Sequence, residues 1–274
     1  MNAVAIGPFA FSIDRLAVIM GVAAFLMAGS LLSRRSAPHF KQWVTHALLG
    51  GIVGARLGHV VRHFENFAAE PWRILAFWQG GFAWEGAAVG VLLSTMTLAI
   101  RTPRLLPRAA LALGAFVVGW AVTSSLALTD TSPPAPLNAF SDVDATRQIV
   151  IADRRGRPAV VNLWATWCPP CRREMPAMAD VARASADVDF IFANQGEGAD
   201  TIRSFLDEAG IALETVVIDP ASRLSRHYRA VGMPTTLFIN ADGSLSGMHM
   251  GEISREVLAE RVAELRKNDG KRKP

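Results

Sequence analysis

The chain contains 274 residues, enough for about two domains of ordinary size. Hydrophobic residues make up 51% of it, a high share for a soluble protein, and the apolar excess lies before about residue 128. The net charge of +4 does not indicate a nucleic-acid-binding protein, because the early arginines flank apolar segments and the last lysines lie in a basic tail, 268–274. Two cysteines exclude a disulfide-rich scaffold. We therefore predict a basic membrane protein.

Four apolar segments approach the roughly 20 residues that a helix needs to cross a bilayer. They cover about residues 9–32, 43–61, 82–100 and 108–128. We expect an all-α transmembrane bundle of about four helices over residues 1–128. Arginine and lysine in the loops after the first and third segments predict that these loops are cytoplasmic and that both ends of the domain are extracytoplasmic. These loop residues are Arg34, Arg35, Lys41, Arg101, Arg104 and Arg108.

Two charged residues fall inside the apolar segments, where ionisable groups are costly and seldom face lipid. Arg56 precedes the outer end of the second segment, and Glu85 follows the outer start of the third. Their similar depths predict an Arg56–Glu85 ion pair near the outer face. Three tryptophans nearby, Trp72, Trp78 and Trp84, predict an aromatic belt at that interface.

Glycines recur every four residues in the second and third segments. Small residues at this spacing allow helix backbones to approach closely in lipid. The pattern predicts close packing either inside one bundle or between two copies. The glycines concerned are Gly50, Gly54, Gly58, Gly86 and Gly90.

The segments "GGIVGARLGHVVRHFENF" and "PWRILAFWQGGFAWEGAAVGVLL" resemble the early part of the prolipoprotein diacylglyceryl transferase family. The resemblance covers about residues 5–100 and implies a helical membrane scaffold. Glu85 occupies the position of a histidine in the family pattern, and the later "GRxGN" segment with its helices is missing. We therefore predict a membrane scaffold without lipid-transferase activity and hold diacylglyceryl transfer as a disfavoured alternative.

The segment "LTDTSPPAPLNAF" separates the two halves and predicts a linker over 129–139, because proline and small polar residues favour an extended spacer. Strand and helix patterns alternate after it, which predicts an α/β domain over 140–267. The expected strands cover 159–166, 188–195, about 214–220 and both arms of 235–251. The expected helices begin near Pro169, at Thr201 (capped by Asp200 and ended by Gly210), at Arg223 and at Ile253, the last ending near Leu265.

Both cysteines lie in "WCPPC", where a buried strand leads into a helix. The helix N-terminus favours the thiolate of Cys168, so we expect Cys168 to be an exposed nucleophile. Cys171 comes one turn later and is spaced to resolve the mixed disulfide that Cys168 forms. Pro169 and Pro170 stiffen the first turn.

A zinc half-site is the competing interpretation of the two cysteines. It needs two further ligands, and His227 and His249 lack partners at ligand spacing. An inert structural disulfide is a second alternative, but so small a loop constrains the unfolded chain little. The spacing therefore favours a redox centre, and we expect no metal and no cofactor.

The sequences "VVNLWATWCPPCRREMP" and "VGMPTTLFINADG" resemble the thioredoxin-like TlpA/ResA/DsbE group over about residues 140–265. The resemblance implies a thioredoxin-like fold and a redox disulfide between Cys168 and Cys171. It also implies that Pro234 is a cis-proline beside the disulfide and that the Met233 backbone pairs with an incoming peptide. The residues expected to shape the substrate site are Trp167, Pro169, Pro170, Met233, Pro234 and Thr235.

Glu174 has two interpretations. The resemblance implies a proton acceptor that assists Cys171, and the alternative is a carboxylate that merely favours the first helical turn. Asn162 occupies the place of a buried aspartate in thioredoxin and cannot accept a proton as a carboxylate does. We expect Trp164 and Trp167 to pack about the site, with Trp167 partly exposed.

Together these features predict a multi-pass protein of the bacterial inner membrane whose periplasmic domain reduces protein disulfides. Its expected partners are disulfide-containing client proteins, a transmembrane electron donor of the DsbD or CcdA type, and the lipid bilayer, but no nucleic acid. The alternative is a copper-binding protein that uses Met248, His249 and Met250. On a strand the two methionines face away from the histidine, which disfavours a shared ion.

Overall fold

A computed structural model describes residues 3–6, 9–33, 38–127, 133–154 and 156–272. Arg34, Arg35, the first residues of the predicted linker and the end of the basic tail lie outside these ranges. The chain divides into two compact units. One contains Ile13–Phe77 and Gly81–Thr129, and the other contains Met1–Ser12, Trp78–Gly80 and Asp130–Pro274.

The first unit is helical. Its helices are α1 (Ile13–Ser33), α2 (Pro38–Arg62), α3 (Phe64–Ala69), α4 (Trp84–Arg101) and α5 (Leu106–Ala127). Three stretches are long and apolar enough to cross a membrane. They are Arg15–Ser33 in α1, Pro38–Arg62, which is α2, and Pro103–Leu126, which includes most of α5 and the turn before it. The expected third span forms α4, a shorter helix with a charged residue near each end.

The first helix begins later than its apolar segment predicts. Phe9–Ser12 forms a strand, β2, that pairs antiparallel with β1 (Ala3–Ile6). Helix α1 therefore starts at Ile13 and not at about Phe9.

The glycine faces of α2 and α4 pack directly against each other. A Cβ atom at Gly54 would lie 2.3 Å from the carbonyl oxygen of Gly86, and one at Gly90 would lie 1.9 Å from that of Gly50. No side chain fits into such gaps, so the backbones touch where the small residues lie. Close packing within one bundle is therefore sufficient to explain the glycine spacing, and contact between two copies is not needed.

The predicted Arg56–Glu85 ion pair is wrong. Glu85 pairs with Arg62 at 2.8 Å, because Arg62 ends α2 at the level where α4 begins, whereas Arg56 lies about 9 Å further back along α2. The Arg56 guanidinium instead donates hydrogen bonds to backbone carbonyls of the segment between α2 and α4, at distances of 2.6 to 3.4 Å. These acceptors are Arg73, Ile74, Ala76 and Gly81.

The second unit contains a five-stranded mixed sheet. After β3 (Ala139–Ser141) and β4 (Gln148–Val150), which form a short hairpin, the sheet strands are β5 (Ala159–Trp164), β6 (Asp189–Gln195), β7 (Val216–Asp219), β8 (Thr235–Ile239) and β9 (Leu245–Met250). Their order is β7-β6-β5-β8-β9, with β5, β6 and β7 parallel and β8 and β9 antiparallel. This order is that of a thioredoxin-like domain, as the sequence predicts.

Side chains alternate between the two faces of the central strand because successive residues of a strand point to opposite sides. Val160 and Trp164 belong to a core cluster that contains both cysteines, and Val161 and Leu163 belong to a second cluster on the other face. The helices of this unit are α6 (Pro169–Arg183), α7 (Ala199–Ala209), α8 (Arg223–His227) and α9 (Arg255–Arg272).

Two helix boundaries differ from their predictions. Asp200 does not cap α7, because the helix starts two residues earlier than predicted, at Ala199 with Gly198 at the cap position, and Asp200 instead pairs with Arg203. Helix α9 starts at Arg255, where the Ser254 hydroxyl accepts a hydrogen bond from the Val257 N–H, and it continues through part of the predicted basic tail. The predicted end of α7 at Gly210 is confirmed, since Gly210 has a left-handed φ of 62°.

Substituting Gly54 by alanine should destabilise the helical unit by about 1–3 kcal/mol, because the new methyl group would overlap the backbone of α4. Gly114→Ala is the matched control, since a Cβ there meets no atom within 4 Å. Thermal unfolding of the full chain in detergent micelles measures both. Equal melting temperatures for the two variants would contradict the described packing.

Candidate functional site

The disulfide lies where the central strand gives way to a helix. Strand β5 ends at Trp164, and α6 begins at Pro169 with Cys168 at its N-cap position. A bond joins Cys168 to Cys171, and the Cys168 sulfur accepts a hydrogen bond of 3.3 Å from the Cys171 N–H. The sulfur of the first cysteine therefore lies where the unpaired N–H groups of the helix stabilise negative charge.

Both cysteines are buried in this oxidised form. Cys168 is 3% exposed and Cys171 is fully buried. The expectation of an exposed Cys168 is therefore wrong for the disulfide form, because the bond draws its sulfur against the helix and the core cluster. Trp167, immediately before it, is 65% exposed and marks the accessible side of the site, whereas Trp164 is completely buried.

The loop before β8 supplies the other predicted residues. The Met233–Pro234 peptide bond is cis, and Met233 packs against the cluster that contains both cysteines. The Thr235 hydroxyl donates to the carbonyl of Gly232 at 2.6 Å, which closes the turn ahead of the proline.

Pro169 is exposed and Pro170 half-buried in the first turn of α6. Their role in substrate binding stays a prediction.

Glu174 is buried on α6, three residues after Cys171. It is 2% exposed, and its two carboxyl oxygens each accept one hydrogen bond of 2.9 Å, from the Asn162 side chain and from the Ile253 N–H. Glu174 is the sixth residue of α6, so the alternative of a first-turn carboxylate is wrong. Burial raises the pKa of Glu174 to about 8, with a smaller upward contribution from the charge of Glu252, and the two hydrogen bonds oppose this increase.

Asn162 gives Glu174 a partner in either protonation state. Its side-chain N–H group donates to Glu174 at 2.9 Å and to the Thr236 hydroxyl at 3.2 Å. Its carbonyl oxygen is buried and has no hydrogen-bond partner within the described residues. Rotation of this amide would present that oxygen to a protonated Glu174, because a neutral carboxyl group donates one hydrogen bond.

A second buried carboxylate, Glu252, adjoins the site and was missed by the sequence analysis. Arg173 donates to one Glu252 oxygen from two nitrogens, at 3.0 and 2.7 Å. This ion pair lies next to Ile253, whose N–H holds Glu174. The sequence does not reveal that Glu252 lies near Glu174, because α6 and the segment before α9 meet only through a tertiary contact.

Glu197 was also missed. Its carboxylate accepts hydrogen bonds from Thr166 and Asn194, next to the "WCPPC" turn. A sequence signal exists, since a single charged residue stands between two glycines directly after a buried strand that is adjacent to β5.

The structure disfavours the metal-binding alternatives. Met248 and Met250 are buried in the core cluster on one face of the sheet, while His249 points to the other face and is partly exposed. The three side chains therefore do not converge on one copper ion. For the zinc alternative, His227 contacts the carbonyl oxygen of Pro134 at 2.8 Å. The two cysteine sulfurs are bonded to each other and are not available as zinc ligands in this form.

Comparison with known families divides the chain as the sequence does. Residues 133–248 match the sequence model of the AhpC/TSA family, and residues 2–123 match that of the prolipoprotein diacylglyceryl transferase family. The fusion implied by the two sequence resemblances is confirmed.

Curated relatives match the second half of the chain. Thiol-disulfide oxidoreductase ResA of Bacillus subtilis (strain 168) is 29% identical over 126 residues, which are 45% of this chain and 69% of ResA. The ResA protein of Halalkalibacterium halodurans is 31% identical over 114 residues, 41% of this chain and 64% of that protein. These relatives support the predicted enzyme class, a thiol–disulfide oxidoreductase.

Two solved structures are also similar to part of the chain. A thiol:disulfide interchange protein of the thioredoxin family from Chlorobium tepidum TLS is 28% identical with a TM-score of 0.43, covering 50% of this chain and 97% of its own. The Mycobacterium tuberculosis protein dsbF is 23% identical with a TM-score of 0.45, covering 49% and 99%.

The buried Glu174 predicts a pH-dependent stability of the oxidised chain. Because its pKa rises from 4.5 to about 8 on folding, the folded state binds a proton that the unfolded state releases between these values. Stability should fall by on the order of a few kcal/mol as pH rises through this window and should then level off.

Glu174→Gln removes this titration and serves as the control. The difference in melting temperature between the oxidised wild-type chain and the variant, measured in micelles from acidic to alkaline pH, isolates the contribution of one carboxyl group. A difference that does not change with pH would contradict the raised pKa.

Proposed function

We propose that the chain is a membrane-anchored thiol–disulfide oxidoreductase whose dithiol reduces disulfides of proteins outside the cytoplasm. The observation that carries the proposal is the buried Glu174, with a pKa raised to about 8, one helical turn from the buried Cys171 of the Cys168–Cys171 disulfide. The raised pKa brings Glu174 closer to the ordinary pKa of a thiol, about 8.5, and so lowers the free-energy cost of passing a proton between the two groups.

Reduction of a client protein proceeds in two exchanges. The Cys168 thiolate attacks one sulfur of the client disulfide, a mixed disulfide forms, and the other client sulfur leaves as a thiolate that takes a proton from water. Cys171 then passes its proton to Glu174 in the fraction of molecules in which this carboxyl group is ionised, and it attacks the Cys168 sulfur. The second client sulfur leaves as a thiolate and takes a proton from water, so the client is released with two thiols, and the two electrons of the Cys168–Cys171 dithiol have moved to it.

Regeneration of the dithiol uses the same proton in the opposite direction. An incoming thiolate attacks the Cys168 sulfur, and Cys171 leaves as a thiolate in a buried position. At neutral pH a carboxyl group with a pKa of about 8 is mainly protonated, so Glu174 supplies the proton that this leaving group needs. The side-chain amide of Asn162 can hydrogen-bond to Glu174 in both protonation states. Its N–H group donates to the carboxylate, and its oxygen can accept from the protonated acid.

The membrane helices support the proposed location. Three described stretches can cross a bilayer, and the arginine-rich loops favour a bacterial inner membrane protein with the redox domain in the periplasm. The chain has no second cysteine pair to carry electrons through the membrane. We therefore assign electron supply to a separate transmembrane donor of the DsbD or CcdA type.

Trapping of mixed disulfides tests this function. The full-length Cys171→Ala variant, expressed in bacterial cells, should accumulate client proteins bound to Cys168, because the resolving thiol is gone. The adducts should run as higher-mass bands on non-reducing gels, disappear on reduction and be labelled from outside the cell before lysis.

Cys168→Ala is the matched control. It keeps one thiol in the same motif, but that thiol is the fully buried Cys171, so it should form few adducts. Equal adduct levels in the two variants, or none in either, would overturn the proposed roles of the cysteines.

A further inference from the structure

The turn that leads into the disulfide is held by one carboxylate, that of Glu197. One Glu197 oxygen accepts hydrogen bonds from the Thr166 N–H and from the Asn194 side chain, both at 2.7 Å. The other oxygen accepts the Thr166 hydroxyl at 2.5 Å. Hydrogen bonds to an ionised acceptor are about twice as strong as neutral ones, so this contact fixes both the backbone and the side chain of Thr166.

Strand pairing places these residues together. Strands β5 and β6 are parallel neighbours, with Trp164 opposite Asn194, so the chain leaves both strands at the same edge of the sheet. Gly196 has a φ of 86°, a left-handed conformation that glycine adopts without steric cost. The turn at Gly196 brings the Glu197 side chain back towards Thr166.

The functional residues follow Thr166 directly. Trp167 and Cys168 lie between the end of β5 and the start of α6, outside any strand or helix. The Cys168 N–H donates to the Ala165 carbonyl at 3.3 Å, so Thr166 lies within the turn that places Cys168. A shift of Thr166 would therefore move the cysteine sulfur and the exposed tryptophan together.

The partners of Glu197 are all neutral donors. Within the part of the chain that the structure describes, its carboxylate forms no ion pair. Its described contacts therefore all anchor Thr166 and Asn194.

We propose that Glu197 is a positioning residue for thiol–disulfide exchange, because it holds the turn through Thr166 so that Cys168 can align with the disulfide of a client. This inference rests on the proposed function. Exchange requires the attacking sulfur to approach along the axis of the bond that breaks, and a misplacement of about 1 Å can lower a rate about a hundredfold.

Two variants of Glu197 separate its geometry from its charge. Glu197→Gln keeps an oxygen for Thr166 N–H and Asn194, and its amide N–H can donate to the Thr166 hydroxyl, so all three contacts survive without the charge. Glu197→Ala removes them all. Glu208→Ala is the control, since Glu208 is an exposed residue of α7 and takes no part in the described hydrogen bonds of Glu197.

The measured quantity is the rate constant with which the reduced full-length chain in micelles attacks a small aromatic disulfide. We expect Glu197→Ala to lower it by about ten- to a hundredfold, Glu197→Gln to stay within about threefold of wild type, and Glu208→Ala to be unchanged. Near-ultraviolet circular dichroism at the same temperature verifies that each variant is folded. Thr166→Val, which loses the hydroxyl contact alone, should be intermediate and replaces Glu197→Ala if that variant does not fold.

Two results would overturn the positioning role. One is a wild-type rate in Glu197→Ala or in Thr166→Val, and the other is an equal loss in the alanine and glutamine variants, which would assign the effect to charge. An unreactive wild-type chain is a different outcome, because it contradicts the proposed function and not only the role of Glu197.

Discussion

Burial of a carboxyl group beside a buried disulfide is the constraint on which this site depends. Cys171 and Glu174 occupy neighbouring turns of α6, and both are packed into the protein core. Opening the disulfide leaves a thiolate where water cannot hydrate it, and a second negative charge on Glu174 would be costly in the same place. With one proton shared between the two groups, the site carries a single negative charge instead of two. The raised pKa of Glu174 is thus a direct consequence of packing.

The sheet explains why the functional groups meet. Parallel strands β5 and β6 end at one edge, so the turn before α6 and the turn after β6 are neighbours. Antiparallel β8 pairs with the other side of β5, which brings Thr236 next to Asn162, and Met233, just before β8, packs against the core cluster that contains both cysteines. The disulfide therefore lies where these chain segments converge.

Local patterns predicted the fold well, and contacts between distant segments account for the errors. The β-branched run of 159–166, apolar on both faces, identified the central strand, and "WCPPC" identified the helix start. Arg56 was wrongly paired with Glu85 because helix depth alone cannot show that the 73–81 segment folds back over Arg56. Glu174 could be named from a family resemblance, but its burial depends on Ile253, 79 residues later in the chain.

The most direct test of the account is the pH dependence of reduction of the Cys168–Cys171 disulfide. The measured quantity is the rate at which dithiothreitol reduces the full-length oxidised chain. Dividing this rate by the concentration of the dithiothreitol thiolate isolates the protein's own titration. Proton transfer from Glu174 to Cys171 predicts that this constant falls as pH rises through about 8, where Glu174 loses its proton, and that Glu174→Gln gives a lower constant without this transition. A wild-type profile without the transition, or the same transition in the variant, would contradict it.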